Sequence, residues 1–236
     1  MKTIKLVLLL SIPILISCNN VRFESPMPMD TANISTFNKQ LIGNYYVTDS
    51  MLDDSSYNEH YFPEIYKTKD SVKTGVFNID ISKNTIRYTT IEKSYYDVTK
   101  LNMSNINTAT VGVEGKSIVT KKTFGNYILI EKTDTAELVN IATKDILRAK
   151  DKCYYVNIKD DKDWLTVQLI PKKKGVLIVN MLKADELDNL PKNFEVTQES
   201  KSGFSSDAFI EDMNNEKFDY LVKHDYFKHM VTIKKY

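Results

Sequence analysis

The sequence predicts an α+β fold dominated by an antiparallel β-meander, arranged as a sandwich or an open barrel, with a helix near its C-terminus. Three observations support this fold class. Short segments of strand composition recur along the chain, polar turn residues separate them, and clear helical periodicity is confined to a late segment. Hydrophobic residues make up 42% of the 236 residues, enough to bury a sizeable core.

The first candidate strand runs from Leu41 to Val47, where the folded domain is expected to begin. The clearest hairpin pairs residues 75–81 with residues 85–91 around the three-residue turn Ser82-Lys83-Asn84. Other segments share β-branched and aromatic composition and are bounded by turn residues. They are Ser117–Thr120, Tyr127–Glu131, Cys153–Ile158, Trp164–Ile170 and Val176–Leu182. The last three are predicted to form a meander, because short polar turns connect them.

Two segments suggest helices. Asp134 and Glu137 have the spacing of a capping box, and apolar residues recur at helical intervals up to Ala149. The β-branched content of residues 134–149 leaves a two-strand alternative open. Ser206 to Lys223 predicts a helix more clearly, with Ser206 as the capping residue and Lys223 near the end. A final strand is expected over Phe227 to Ile233.

The N-terminus has the pattern of an export signal. Lys2 and Lys5 precede the apolar stretch from Leu6 to Ile16, and the small residue Ser17 precedes Cys18. The apolar stretch is too short to cross a hydrocarbon core of about 30 Å as a helix. Residues 1–17 are therefore interpreted as a signal peptide that is removed.

The run Leu15-Ile16-Ser17-Cys18 resembles the lipobox of bacterial lipoproteins. The resemblance implies that Cys18 receives a diacylglycerol, becomes the new N-terminus and is then acylated. Two or three acyl chains give stable attachment to a membrane. In that family the next residue helps to sort proteins between membranes, and Asn19 is not the aspartate associated with the inner membrane. The resemblance therefore implies an outer-membrane location in the cell envelope.

The predicted domain organisation follows from this N-terminus. Residues 18–36 contain Pro26 and Pro28 and little apolar periodicity, so they are expected to form a lipidated, flexible tether. Residues 37–236 are expected to form the β-rich domain, with a candidate internal boundary near residues 100–116.

Charge and cysteine content exclude several functions. The formal net charge is only +1, and removal of the signal peptide takes away Lys2 and Lys5. Nucleic acid is therefore not an expected partner, because binding it requires clustered Lys and Arg. If Cys18 is acylated, Cys153 is the only remaining thiol, and its strand-like surroundings predict a buried small hydrophobe.

No catalytic residue, metal site or cofactor is predicted. His224 and His229 are five residues apart, which places them on different sides of a helix. The acidic run from Asp160 to Asp163 lacks the glycine and the distal glutamate of an EF-hand, so a solvated turn is expected.

Two kinds of candidate surface site remain. Tyr57, Tyr61, Phe62 and Tyr66 lie in a polar, aromatic-rich segment that is a candidate recognition surface. Four Asp-Ser/Thr-apolar tripeptides resemble an O-glycosylation sequon of some two-membraned bacteria, and they also suit ordinary turns. Their hydroxyl residues are Thr31, Ser50, Ser71 and Thr135.

These features predict a membrane-anchored lipoprotein of the cell envelope with a non-catalytic binding or accessory role. Its expected partners are the membrane, through the N-terminal lipid, and an envelope protein or glycan. Two alternatives stay open. One is an envelope hydrolase whose carboxylates or His224 and His229 converge only in the fold, and the other is a carrier of a hydrophobic ligand.

Overall fold

The structure is a computed structural model that describes residues 20–50, 66–67, 71–97, 112–114, 117–124, 127–201 and 205–236. The chain divides into two compact units. Within the described residues, unit 1 comprises 20–36, 141–173 and 177–230, and unit 2 comprises the described part of 37–140 with 174–176 and 231–236. The units exchange after Thr36 and Asn140, so the predicted boundary near residues 100–116 is not where the chain divides.

The described residues contain fifteen strands, one α-helix and two 3-10 turns, which confirms a β-dominated α+β fold with a C-terminal helix. The strands are β1 (Val21–Phe23), β2 (Gly43–Ser50), β3 (Tyr66–Lys67), β4 (Ser71–Ile81), β5 (Thr85–Asp97), β6 (Gly112–Glu114), β7 (Ser117–Phe124), β8 (Tyr127–Asn140), β9 (Ile146–Lys150), β10 (Cys153–Asp160), β11 (Asp163–Pro171), β12 (Val176–Leu182), β13 (Glu195–Lys201), β14 (Ser205–Glu211) and β15 (Phe227–Lys235). The helix is α1 (Asn215–Lys223), and the 3-10 turns are Lys173–Gly175 and Ala184–Asn189.

The sheet of unit 1 is centred on β11. β10 pairs with one side of β11 and also with β9, all antiparallel, and β12 pairs with the other side. The predicted meander β10-β11-β12 is therefore confirmed. β1 pairs with the start of β11 on the same side as β12, with Phe23 opposite Trp164. On its other side β1 pairs with β14, which in turn pairs with β13. The β1–β14 pair is parallel, so the sheet is mixed rather than purely antiparallel.

Unit 2 is an antiparallel ladder. The end of β15 pairs with β2, followed in order by β4, β5, β8, β7 and β6, while β3 pairs with the start of β4. The predicted hairpin is the β4–β5 pair. Its turn is closed by the Ser82 N–H, which donates to the Thr85 carbonyl at 2.9 Å. Ser82 Oγ also accepts a hydrogen bond from the Thr85 N–H at 3.2 Å.

The helix predicted over residues 134–149 is wrong, and the two-strand alternative is confirmed by β8 and β9. Alternating side chains of β8 have partners on the neighbouring strand rather than along a helix. Thr135 Oγ1 lies 3.0 Å from Thr89 Oγ1, and Glu137 lies 3.6 Å from Arg87. Cross-strand partners and β-branched residues outweigh the capping-box pattern.

The C-terminal helix is shorter than predicted. Residues 206–211 belong to β14, because the Ala208 N–H donates to the Asn20 carbonyl at 2.9 Å and β14 pairs with β1. The helix instead begins after Asn214, whose side chain accepts a hydrogen bond from the Lys217 N–H at 2.9 Å. The capping residue is therefore Asn214 rather than Ser206.

The flexible tether predicted over residues 18–36 is contradicted in its described part. β1 has a neighbour on each side, and Val21, Phe23 and Met27 are fully buried. Ile34 forms a bridge with Leu147. Two prolines and small polar residues do not reveal this packing, because the three buried side chains fall at irregular spacings.

Each unit has its own buried side chains. In unit 1, Tyr155, Phe218 and Phe227 pack edge to face, with ring centroids 5.2–6.1 Å apart, beside the buried residues of β1. In unit 2, the buried residues include Tyr45, whose hydroxyl donates to the Leu41 carbonyl at 2.6 Å.

Candidate functional site

The segment directly behind the predicted lipobox is held by four polar side chains that we call the N-terminal clamp: Arg22, Arg148, Asn157 and Asn215. Arg22 is 6% exposed and sits on β1. Its Nε donates to Asp207 Oδ2 at 3.0 Å, and its Nη1 contacts Asp160 Oδ2. Desolvation acts to lower the pKa of Arg22, but the two carboxylates outweigh it and raise that pKa above its usual value. Arg22 therefore remains a cation and ties β1 to β10 and β14.

Asn157 is fully buried, and its side-chain amide pairs with the main chain of Met27 as a neighbouring β-strand would. Its Oδ1 accepts from the Met27 N–H at 2.8 Å, and its Nδ2 donates to the Met27 carbonyl at 2.9 Å. Thr166 Oγ1 donates to the same Oδ1 at 2.8 Å. Buried main-chain polar groups require such partners, so Asn157 allows Met27 to be buried.

Arg148 and Asn215 hold the turn after β1. Arg148 Nη1 donates to the carbonyls of Pro26 and Pro28, both at 2.6 Å. Burial lowers the pKa of Arg148 from its usual value, and the nearby Asp30 carboxylate acts in the opposite direction. Asn215 Oδ1 accepts from the Met29 N–H at 2.8 Å. Main-chain groups are thus held at successive positions of this segment.

A second feature of unit 1 is an open groove of about 280 Å³ beside the start of α1, which we call the aromatic groove. Its lining combines two aromatic rings with amide and charged side chains. The residues are Pro191, Asn193, Phe194, Asn214, Glu216, Lys217 and Tyr220.

The rings of the aromatic groove belong to a larger cluster. Tyr220 lies 5.6 Å from Phe194 and 4.2 Å from the His224 ring, measured between centroids. Lys217 Nζ lies 5.7 Å from the Phe194 ring and donates to the Asp212 carbonyl at 3.2 Å. Phe194 itself is buried, so the half-buried Tyr220 ring and the exposed amide side chains of Asn193 and Asn214 are the groups of this groove that a hydroxyl-rich or aromatic ligand could contact.

The candidate sites predicted from the sequence have different outcomes. Cys18 and three residues of the recognition surface, Tyr57, Tyr61 and Phe62, lie outside the described residues. The backbone of Tyr66 lies in β3. That surface therefore stays a prediction.

The four glycosylation candidates occupy turn and strand positions. Thr31 is half-buried, and its hydroxyl donates to the Pro28 carbonyl at 3.1 Å. Thr135 is exposed on β8. The backbones of Ser50 and Ser71 lie in β2 and β4. Modification of these hydroxyls stays a prediction.

His224 and His229 do not share one helix, since His224 caps the end of α1 and His229 lies on β15. Within the part of the chain that the structure describes, no group of three His, Cys, Asp or Glu side chains could hold a metal ion. Cys153 is half-buried against the unit 1 core, and burial raises the pKa of its thiol. Asp160, in the acidic run, contacts Arg22 of the N-terminal clamp.

This chain matches no family model, no curated protein and no solved structure. Among the described residues, no helix has the length and apolar character that a membrane span requires.

Sequence reasoning missed both features of unit 1. Phe194 and Tyr220 are far apart in the sequence, and only the packing of α1 brings their rings together. Asn157 carried a weak signal, because a polar amide inside a strand of apolar residues must find partners when it is buried.

Proposed function

We propose that this chain is a lipid-anchored lipoprotein of the cell envelope, placed at the outer membrane, with a non-catalytic binding or accessory role. The observation that carries the proposal is the run Leu15-Ile16-Ser17-Cys18 behind a charged and apolar leader. In this proposal the N-terminal clamp links the anchor to the core of unit 1, because it holds the segment behind Cys18. An anchored domain works at a high effective concentration for partners on the same membrane.

Lipidation is tested by growing the native host with an alkyne-tagged fatty acid and measuring its incorporation into the protein. The wild-type chain should carry the tag, and Cys18→Ser should abolish it. Cys153→Ser is the matched control and should leave labelling unchanged. Labelling that survives Cys18→Ser would overturn the proposal.

The membrane is tested by fractionation. Asn19→Asp should move the protein toward the inner membrane, because aspartate at this position is the retention signal of the lipoprotein family. Asn19→Gln keeps an amide and should leave the protein in the outer-membrane fraction. The same distribution for both variants would contradict outer-membrane sorting through this residue.

The aromatic groove is the proposed binding surface, and an envelope glycan or an envelope protein is its proposed partner. The test is direct binding of the anchored protein to purified envelope glycan and to crosslinked envelope partners. Tyr220→Ala removes the stacking ring and should weaken binding about tenfold, the effect of losing about 1.4 kcal/mol at an aromatic contact. Tyr154→Ala, a half-buried tyrosine of β10 outside the groove, is the control. Equal binding by both variants would contradict the assignment of the groove.

A further inference from the structure

The sheet of unit 1 has an edge strand at β13. Among the described residues β13 pairs only with β14, in a regular antiparallel register from Glu195 to Lys201. The edge at β9 is different, because the Ile34 N–H covers it by donating to the Leu147 carbonyl at 2.7 Å. Proteins commonly protect an exposed edge by a short strand, a proline or a bulge. β13 has seven residues and none of these devices, so its edge can accept another strand.

The hydrogen bonds of β14 show which main-chain groups of β13 face outward. The Ala208 N–H donates to the Asn20 carbonyl, so the main-chain groups of Ala208 face β1 and not β13. Gln198 lies opposite Ala208, and this non-hydrogen-bonded pair leaves the N–H and the carbonyl of Gln198 facing away from β14. Because this direction alternates along a strand, the main-chain groups of Val196 and Ser200 face outward as well.

A second copy of β13 matches these outward groups. A two-fold axis through Gln198 brings the main-chain groups of the two Gln198 residues face to face in an antiparallel pair. Val196 of each copy then lies opposite Ser200 of the other, and both of these residues also face outward. A shift of one residue would place outward groups opposite inward ones. The pairing therefore uses all seven residues of β13.

Charge complementarity selects this register among the antiparallel ones. Glu195 of each copy lies opposite Lys201 of the other. A shift of two residues opposes Glu195 to Glu199 in one direction and Glu199 to itself in the other, and like charges directly opposite destabilise a sheet. Glu195 also lies opposite Glu211 of its own ladder, and neither carboxylate has an ion pair with another described residue. A lysine from a second copy would offset that repulsion.

We propose that β13 is a self-association surface, through which two copies of this chain form one continuous antiparallel sheet with two-fold symmetry. Val196 packs against the core of its own unit, and Thr197 and Gln198 are exposed. Main-chain hydrogen bonds and the two charge pairs therefore carry the association, as in strand addition at a sheet edge. Such an interface is small, so a Kd on the order of 10–100 µM is expected. The association does not depend on the lipid anchor.

Sedimentation equilibrium of the mature chain in density-matched detergent, from about 1 to about 500 µM, measures the Kd of the dimer. Lys201→Glu places glutamate opposite glutamate at both ends of the pairing and should raise the Kd at least about tenfold. Combining it with Glu195→Lys restores the opposite charges and should return the Kd to near the wild-type value. Lys144→Glu makes the same change of charge in an exposed turn and should leave the Kd unchanged.

The main-chain hydrogen bonds are tested at the centre of the pairing. The N–H of Gln198 faces away from β14, so Gln198→Pro keeps the β13–β14 ladder and removes the central intermolecular hydrogen bonds. It should abolish the dimer without lowering the urea midpoint to that of an unfolded unit 1, whereas Gln198→Thr keeps the N–H and should dimerise normally. A wild-type chain that stays monomeric throughout, or a dimer that survives both Lys201→Glu and Gln198→Pro, overturns the proposal. If Gln198→Pro does not fold, failure of the double charge exchange to recover the dimer overturns it.

Discussion

Unit 2 builds its ladder largely from strands that follow one another in the sequence, whereas unit 1 inserts β1 between β11 and β14, which lie far along the chain. The β4–β5 pair is joined by a short turn, and β8 follows as the next partner of β5. In unit 1, the first described strand completes a sheet whose other strands come from the second half of the sequence.

The difference matters because β1 lies beside the predicted attachment point. A local ladder can form without the N-terminal segment, but the core of unit 1 contains Val21, Phe23 and Met27 from that segment. The residues that lead to Cys18 are therefore part of the folded core. Unit 1 should respond to changes in this segment, and unit 2 should not.

The largest effect is expected from removing the segment altogether. A chain that starts at Phe37 lacks three fully buried apolar side chains, each of which stabilises a core by about 2–5 kcal/mol. Their sum is comparable to the total stability of a typical domain, about 5–15 kcal/mol. Hydrogen exchange should show protection lost in β10 and β11 and retained in the β4–β5 hairpin. Equal protection of β10 and β11 in both chains would refute the dependence of unit 1 on β1.

Arg22→Ala should produce the next largest effect. It removes the guanidinium that forms a buried ion pair with Asp207 at 3.0 Å, and removing one partner of a buried pair costs about 3–5 kcal/mol. The control is Arg87→Ala in unit 2, where the ion pair with Glu137 is 3.6 Å long and largely exposed. That pair should contribute at most about 1 kcal/mol. Urea unfolding gives the free energy of unfolding of both variants. Similar losses in the two would show that the buried ion pair of Arg22 contributes no more to stability than the exposed pair of Arg87.

The same contrast explains what the sequence could reveal. The β4–β5 hairpin and the β10-β11-β12 meander were predictable, because alternation and turn residues act over short distances. β1 was not predictable, because its strand partners are distant in the sequence and only three residues pair.

The helix predicted over residues 134–149 was wrong, and the C-terminal helix was confirmed only in its second half, for a related reason. Residues 134–149 carry apolar residues at spacings that fit either a helix or two strands, and pairing with β5 and β10 decides between them. Residues 206–211 form β14 because β1 and β13 pair with it. The aromatic groove was equally hidden, since its rings come from separate elements.

Alkaline pH should lower the free energy of unfolding of unit 1 by less than the largest effects above and by more than the turn substitution below. Burial raises the pKa of Tyr155 to about 12, while the hydrogen bond donated by Gln168 at 3.2 Å acts in the opposite direction. The folded state therefore holds this proton more tightly than the unfolded state, whose tyrosine pKa is about 10. The stabilisation is complete below about pH 10 and is lost as the pH rises to about 12, an effect of about 3 kcal/mol.

Tyr155→Phe isolates this contribution, because phenylalanine keeps the ring contacts with Phe218 and Phe227 but does not titrate. The free energy of unfolding should fall less steeply between pH 10 and 12 in the variant than in the wild-type chain. Identical slopes would show that Tyr155 does not titrate on unfolding. Tyr45→Phe is the unit 2 counterpart, since burial also raises the pKa of Tyr45.

The smallest effect is expected at the turn of unit 2, and it tests the other side of the comparison. Ser82→Ala removes the acceptor for the Thr85 N–H and the 2.7 Å contact between the two hydroxyls, which should cost about 1 kcal/mol. Lys83→Ala, at the exposed neighbour, keeps the carbonyl that accepts from the Phe37 N–H and should change stability by less than about 0.5 kcal/mol.

Because the turn joins strands adjacent in sequence, its loss should slow formation of the β4–β5 hairpin, measured by pulsed hydrogen exchange, and leave β10 and β11 unaffected. If Ser82→Ala instead delayed protection of β10 and β11 equally, the two units would share a folding nucleus, and the contrast between local and long-range closure would not hold.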